Sequence, residues 1–166
     1  LQNILRDDQL LQAALARQGI SSVRIDWAAP NVDWSQFRCV VFRSTWDYFE
    51  RQQEFATWLK HVRGQTRLRN DAALIDWNMD KHYLADLQAK GVNVVPSKFI
   101  ERGSTLPLSV LLEDSGWDEA IVKPCVSGAA RHTYRINRHN AAALQPVVQQ
   151  LLTDESLILQ PFQESV

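Results

Sequence analysis

An open α/β unit followed by a β-α-β-β-α-β unit is the architecture predicted by this sequence of 166 residues. Two observations carry the prediction. Helix-period segments alternate with short apolar runs through the first half, and the second half orders its patterns as strand, helix, strand, strand, helix, strand.

The first half reads as follows. Residues 7–18 place Leu11, Ala14 and Leu15 at helical spacing and stop at Gly19, which reads as a helix. Residues 22–27 alternate, with Val23, Ile25 and Trp27 on one side, and so predict a strand. Residues 38–42 form a continuous apolar run after Arg38, the pattern of a central parallel strand with Cys39 buried in it. Residues 51–62 repeat Phe55, Trp58, Leu59 and Val62 at helical spacing. In an open sheet of this kind ligands bind beyond the carboxyl ends of strands. The loop from Arg43 to Tyr48 sits at such an end, and Arg43, Ser44, Trp46 and Asp47 are its candidate substrate-binding residues. An equal reading makes Trp46 and Tyr48 packing residues of that loop.

Residues 64–67 and 69–77 read as linkers. Residues 78–91 predict a helix with Asn78 as N-cap, Lys81 in the first turn, Leu84 and Leu87 on the buried face and Gly91 after the end. A cation in a first turn opposes the helix dipole by roughly a few tenths of a kcal/mol, unless an anion shares the site. Residues 92–100 then read as a strand, 105–115 as a helix, 119–124 as a strand, 131–137 as a strand, 140–152 as a helix and 156–162 as the last strand. Pro146 falls inside the second of these helices and predicts a kink or a late start there.

Chemistry concentrates where the strand over 119–124 ends. Ile121 and Val122 are β-branched, and Lys123 follows them directly, so its ammonium reaches the rim of the sheet. Pro124 stops the strand, and Ser127, Gly128, Ala129 and Ala130 leave backbone N–H groups free to close around an anion. Lysine binds phosphate as a point charge. Leu159, Gln160, Pro161 and Phe162 form an apolar strand broken by proline, an edge with backbone groups available to a base such as adenine. Each motif alone has an ordinary structural explanation: a surface lysine before a turn, a solvated lysine on a helix, a strand that stops at proline.

Together and in this order, Lys81 after Asn78 and Asp80, Lys123 and Pro124 before Ser127 and Gly128, and Leu159 to Phe162 resemble the nucleotide-binding half of the ATP-grasp enzymes, closest to the bacterial glutathione-synthetase-like group. The resemblance implies an open α/β pre-ATP-grasp domain over 1–77 and an ATP-grasp N-terminal lobe over 78–166. It implies ATP held by Lys81, Lys123, Ser127, Gly128, Gln160, Phe162 and Gln163, with Mg²⁺ as the second cofactor. The family's magnesium ligands and catalytic arginine belong to a second lobe with no counterpart here, and the first strand of the preceding domain has none either. The chain is accordingly read as part of a longer enzyme, with no catalytic residue and no metal ligand of its own.

The activity implied is an ATP-dependent carboxylate–amine or carboxylate–thiol ligase that works through an acyl phosphate on small-molecule acid and amine substrates, and a homodimer is compatible with it. The rival is a non-catalytic α/β scaffold that kept the fold. A ferredoxin-like RNA binder is a weaker third reading, since the aromatic strands that stack bases are missing. Composition fits the first two readings. A net charge of −1 leaves no basic stripe for nucleic acid, two cysteines without close spacing give no disulfide framework, and four histidines lack metal-ligand spacing. No apolar stretch reaches the roughly 20 residues of a membrane span, which makes the cytoplasm the expected compartment. The six tryptophans read as packing residues first.

Overall fold

The computed structural model describes residues 2–164. Contacts divide the chain into two compact units, Leu1–Asp76 and Trp77–Val166.

The first unit opens with α1 (Gln2–Arg17), followed by an extended but unpaired stretch over 20–26 and a single 3₁₀ turn, Trp34–Gln36. Then come β1 (Cys39–Val41), α2 (Gln52–Val62), β2 (Arg67–Arg69) and α3 (Ala72–Met79), which begins in this unit. β1 and β2 pair in parallel, Val40 opposite Leu68. Parallel neighbours need a crossover, and α2 supplies it. Its Phe55, Leu59 and Val62 are buried at helical spacing, as the sequence predicts. An aromatic cluster forms the core: Phe55 lies 5.2 Å from Trp27, 5.3 Å from Trp58, 5.8 Å from Tyr48 and 6.3 Å from Phe42, ring centre to ring centre.

Three expectations for this unit need correction. Residues 22–27 pair with no strand, because Trp27 is buried edge-on against Phe55 and donates its Nε1–H to Asp47 instead of joining a ladder. β1 is not a buried central strand: Cys39 is exposed and Val41 is 58% exposed, since only β2 pairs with it. The stretch 69–77 is not a linker but largely α3, begun by Asp71, whose Oδ1 accepts the Ala73 N–H at 2.8 Å.

The second unit contains α4 (Tyr83–Ala89), β3 (Lys98–Ile100), α5 (Leu108–Ser115), β4 (Glu119–Pro124), β5 (Tyr134–Asn137), α6 (Ala141–Leu151) and β6 (Leu157–Pro161). From β3 onward this is the β-α-β-β-α-β order, folded as an antiparallel sheet ordered β3-β6-β4-β5. Ala120, Val122, Ile136, Leu157 and Leu159 from the sheet pack with Leu108, Leu111 and Leu112 of α5 and Val148 and Leu152 at the end of α6 in one core. Residues directly opposite in a ladder share a face. The register therefore gives the sheet's other face Phe99, Ile158, Gln160, Ile121, Lys123 and Arg135.

Boundaries differ from the expected ones where local side chains intervene. Asn78 lies inside α3 and caps nothing. Asp80 breaks the helical run by accepting the His82 N–H at 3.0 Å, so Lys81 sits in a turn between α3 and α4. β3 pairs only from Lys98, with Ser97 bonded back to the Val95 carbonyl at 2.8 Å. α5 starts after Pro107, where Gln145 Oε1 accepts the Leu108 N–H at 2.6 Å. α6 starts at Ala141, well before Pro146, so the late start is not seen and the proline lies in the middle of the helix. Among the described residues no helix is long and apolar enough to cross a membrane.

Candidate functional site

The candidate nucleotide site belongs to the second unit. Lys81 reaches it from the turn before α4: its backbone N–H donates to the Cys125 carbonyl at 3.0 Å, and its Nζ donates to the carbonyls of Cys125 and Ser127, both at 3.1 Å. Burial pushes the Lys81 ammonium below its ordinary pKa, and the charge of Lys123 pushes it the same way. The two lysines are thus near enough to repel. Neither forms an ion pair, and the Lys123 side chain makes no hydrogen bond among the described residues. Asp80 and Glu155 offset part of that repulsion without forming an ion pair, and an anion between the two ammonium groups would offset more of it.

The loop between β4 and β5 closes over the same place. Ala129, Ala130 and His132 have φ of 51°, 58° and 48°, in the left-handed region that costs a residue with a Cβ roughly 1–2 kcal/mol. Such strain persists only where surroundings over-determine it, and it gathers at ligand clamps. Here Arg131 N–H donates to Gly128 at 3.0 Å, Thr133 N–H to Ala130 at 3.2 Å, and Ser127 Oγ–H to Arg131 at 3.1 Å. The Arg131 guanidinium also pairs with Glu155 at 3.1 Å. Backbone N–H groups in a small-residue turn of this kind are available to an anion.

The remaining predicted ATP residues are distributed along β6. Gln160 shares the face of Lys123, but its Nε2 donates to Ser97 Oγ at 2.8 Å and its side chain is nearly buried, so it ties β6 to the approach of β3. Phe162 and Gln163 lie past the other end of β4: the Phe162 N–H donates to Glu119, whereas Lys123 pairs with Ile158. The Arg135 guanidinium stands 3.8 Å over the Phe162 ring and is held there by its pair with Glu119. A strand spans roughly 3.3 Å per residue, so a ligand touching both Lys123 and Phe162 must be elongated.

The candidate substrate loop belongs to the first unit. Arg43 donates from Nε to Asp8 Oδ1 at 3.3 Å, and Arg24 donates to the other oxygen of the same buried carboxylate at 2.8 Å. Asp47 accepts from Trp27 Nε1 at 2.8 Å and from Arg51 at 3.2 Å, while Arg51 lies 4.6 Å over the Trp27 ring. Ser44 is half-buried and Trp46 is exposed. A cleft of about 530 Å³ in this unit is lined by Trp27, Arg51, Glu54, Thr57, Trp58 and His61, and by none of the four predicted substrate residues. Sequence reading missed Asp8, for nothing in a helical pattern marks one acid as the anchor of two distant arginines.

The bonds to Asp47 have a pH consequence. The Trp27 indole, against burial and with help from Arg51, holds the Asp47 carboxyl below its ordinary pKa. A depressed folded-state value contributes stability above the unfolded-state pKa that is lost as pH falls through the folded one. Asp47→Asn is therefore expected to lower the melting temperature at neutral pH, and the gap from the parent protein should close as pH falls below about 4. A gap that stays constant down to acid pH would mean that the asparagine acts through packing alone.

The family model of the N-terminal domain of D-cycloserine synthetase DcsG matches residues 1–70. The cycloserine biosynthesis protein DcsG of Streptomyces lavendulae is 40% identical over 152 residues, which cover 89% of this chain and 51% of that protein. The chain thus spans about half the length of the curated relative it matches. The crystal structure of D-cycloserine synthetase DcsG superposes with a TM-score of 0.87 at 36% identity, over 98% of this chain and 56% of that one. An ATP-grasp RimK domain protein from Sphaerobacter thermophilus gives a TM-score of 0.64 at 18% identity, over 93% of this chain and 59% of its own, a likeness of fold alone.

Proposed function

We propose that the chain supplies the substrate-side unit and the first nucleotide-binding lobe of an ATP-dependent ligase of the ATP-grasp type, a reading supported by its likeness to D-cycloserine synthetase DcsG and by the ATP-grasp fold of its structural neighbours. The reaction joins a carboxylate to an amine or thiol through an acyl phosphate. The observation that carries this reading is the juxtaposition of Lys81 and Lys123, two cations in no ion pair among the described residues, beside a strained small-residue loop.

Each residue then has a physical task. Lys81 and Lys123 offset charge on the phosphates, and the loop over 127–132 presents backbone N–H groups to them. The apolar surface of Ile121 beside Gln160 suits the base. Catalysis of phosphoryl transfer consists of positioning and charge stabilisation, so residues that hold a polyphosphate still perform much of the work. Nucleotide fits the residues present, and magnesium would be held by its phosphates and one or two carboxylates, not by a cage of side chains in this unit. The single group of three metal-ligating side chains among the described residues, Asp80, His82 and Cys125, includes a thiol and an imidazole, and Mg²⁺ favours oxygen. Arg43, with its Nε on Asp8, keeps its terminal nitrogens for a substrate carboxylate, and Ser44, Trp46 and Asp47 frame the same loop. The likeness to D-cycloserine synthetase favours a condensation that yields a small molecule.

Hydroxylamine trapping tests the ligase. The full-length protein, given ATP, magnesium and a panel of small acids, is expected to release ADP with one class of acid only and to convert that acid to its hydroxamate. A scaffold that kept the fold predicts neither product. It also predicts no gain in thermal stability with Mg-ATP, where a binder at a hundred times its Kd gains about 2.7 kcal/mol.

A further inference from the structure

We propose that Asp80, His82 and Cys125 bind a thiophilic divalent metal ion, Zn²⁺ in particular, with Glu101 orienting the imidazole from behind. Their donor atoms, a carboxylate oxygen, Nδ1 and Sγ, all lie within 4.8 Å of one another. A tetrahedral zinc site has bonds of roughly 2.0–2.3 Å to such donors, so its ligand atoms stand closer together than that limit, and rotation of half-buried side chains closes the set. The fourth position is left to water.

The surroundings match those of a metal-binding histidine. A ligating imidazole donates its second nitrogen to a carboxylate, which fixes the ring and raises its basicity. His82 Nε2 is 3.2 Å from Glu101 Oε1, Glu101 is steadied by Ser156 Oγ–H at 3.0 Å, and the ring stacks on Phe99 at 4.2 Å. On the opposite side, Nδ1 is 2.6 Å from Asp80 Oδ1, a contact that requires a proton between them. A metal ion takes the place of that proton.

Binding releases the Nδ1 proton and the Cys125 thiol proton to solvent, and no electron is transferred. Because those two protons leave on binding, affinity rises with pH. Spacing could not reveal the site, because two donors flank Lys81 and the third comes from beyond β4. The inference is independent of the nucleotide reading, since none of its donors is a proposed ATP contact.

The test uses metal-stripped full-length protein titrated with Co²⁺ and, separately, with Zn²⁺ or Mg²⁺. The expected result is a sulfur-to-cobalt charge-transfer band of one equivalent and a rise in melting temperature with Zn²⁺ but not with Mg²⁺. Cys39→Ser should keep the band and Cys125→Ser should lose it, and Glu101→Gln should weaken binding by about 10–100-fold. Absence of the band in folded protein, or its survival in Cys125→Ser, overturns the proposal. Should Cys125→Ser fail to fold, Asp80→Asn and His82→Gln decide, since both sites are half-exposed: an unchanged cobalt affinity in either overturns it, and a loss in both upholds it.

Discussion

Phe55→Ala is expected to cost about 3–5 kcal/mol of stability, the range for deleting a buried aromatic ring. Phe55 is only 2% exposed and touches four aromatic neighbours, Trp27, Phe42, Tyr48 and Trp58. Its removal leaves a cavity that these flat, rigid rings cannot fill without turning from their edge-to-face arrangements. Domains are stable by about 5–15 kcal/mol in total, so the first unit loses a large fraction of its margin. Urea denaturation followed by tryptophan fluorescence reports on it directly, because Trp27 and Trp58 border the cavity and Trp34 packs on Trp58. A loss below about 1 kcal/mol would show that the cluster relaxes freely and is not the core of the unit.

What was legible in the sequence follows from how local each signal is. The strand over Glu119–Pro124 was legible to the residue, because Ala120, Val122 and Pro124 alternate with half-exposed partners and proline ends the run. α2 was legible for the same reason at helical period. Trp27 misled the reading of 22–27: alternation shows which side is apolar, not whether a ladder or an aromatic cluster covers it. Arg38 to Phe42 misled in the opposite sense, since an apolar run reports hydrophobicity and not the number of neighbouring strands.

The site shows the same division. Lys81 and Lys123 were found as residues, through their motifs, and their proximity could be inferred only from the order of elements. The break at Asp80 leaves no mark in the apolar pattern of 78–91, because a single side chain bonded to the His82 N–H makes it. Gln160 falls on the expected last strand, but its hydrogen bond to Ser97 depends on a segment that no pattern in that strand announces.

Lys123→Met is expected to lower ATP affinity by about 10–150-fold, the equivalent of the roughly 1.5–3 kcal/mol of a hydrogen bond to a charged group. Adenosine affinity should stay unchanged. The apo protein should be as stable as the parent or more so, because the substitution removes a charge that repels Lys81 and breaks no bond among the described residues. Lys81→Met should differ in one respect. It also deletes the donors to the Cys125 and Ser127 carbonyls, so it is expected to weaken ATP by a similar factor and to loosen the loop, seen as faster amide exchange over 126–133. A pair of variants that separate in this way assigns Lys123 to the ligand and Lys81 to ligand and loop together. Equal losses for ATP and adenosine in Lys123→Met would remove it from the phosphates, and a clear loss of apo stability there would give it a structural role that the geometry does not contain. The arrangement has a cost in the absence of ligand, for two cations are kept together and three residues are held at positive φ. A fold under selection for stability alone would discard both, and an anion bound between them removes the repulsion.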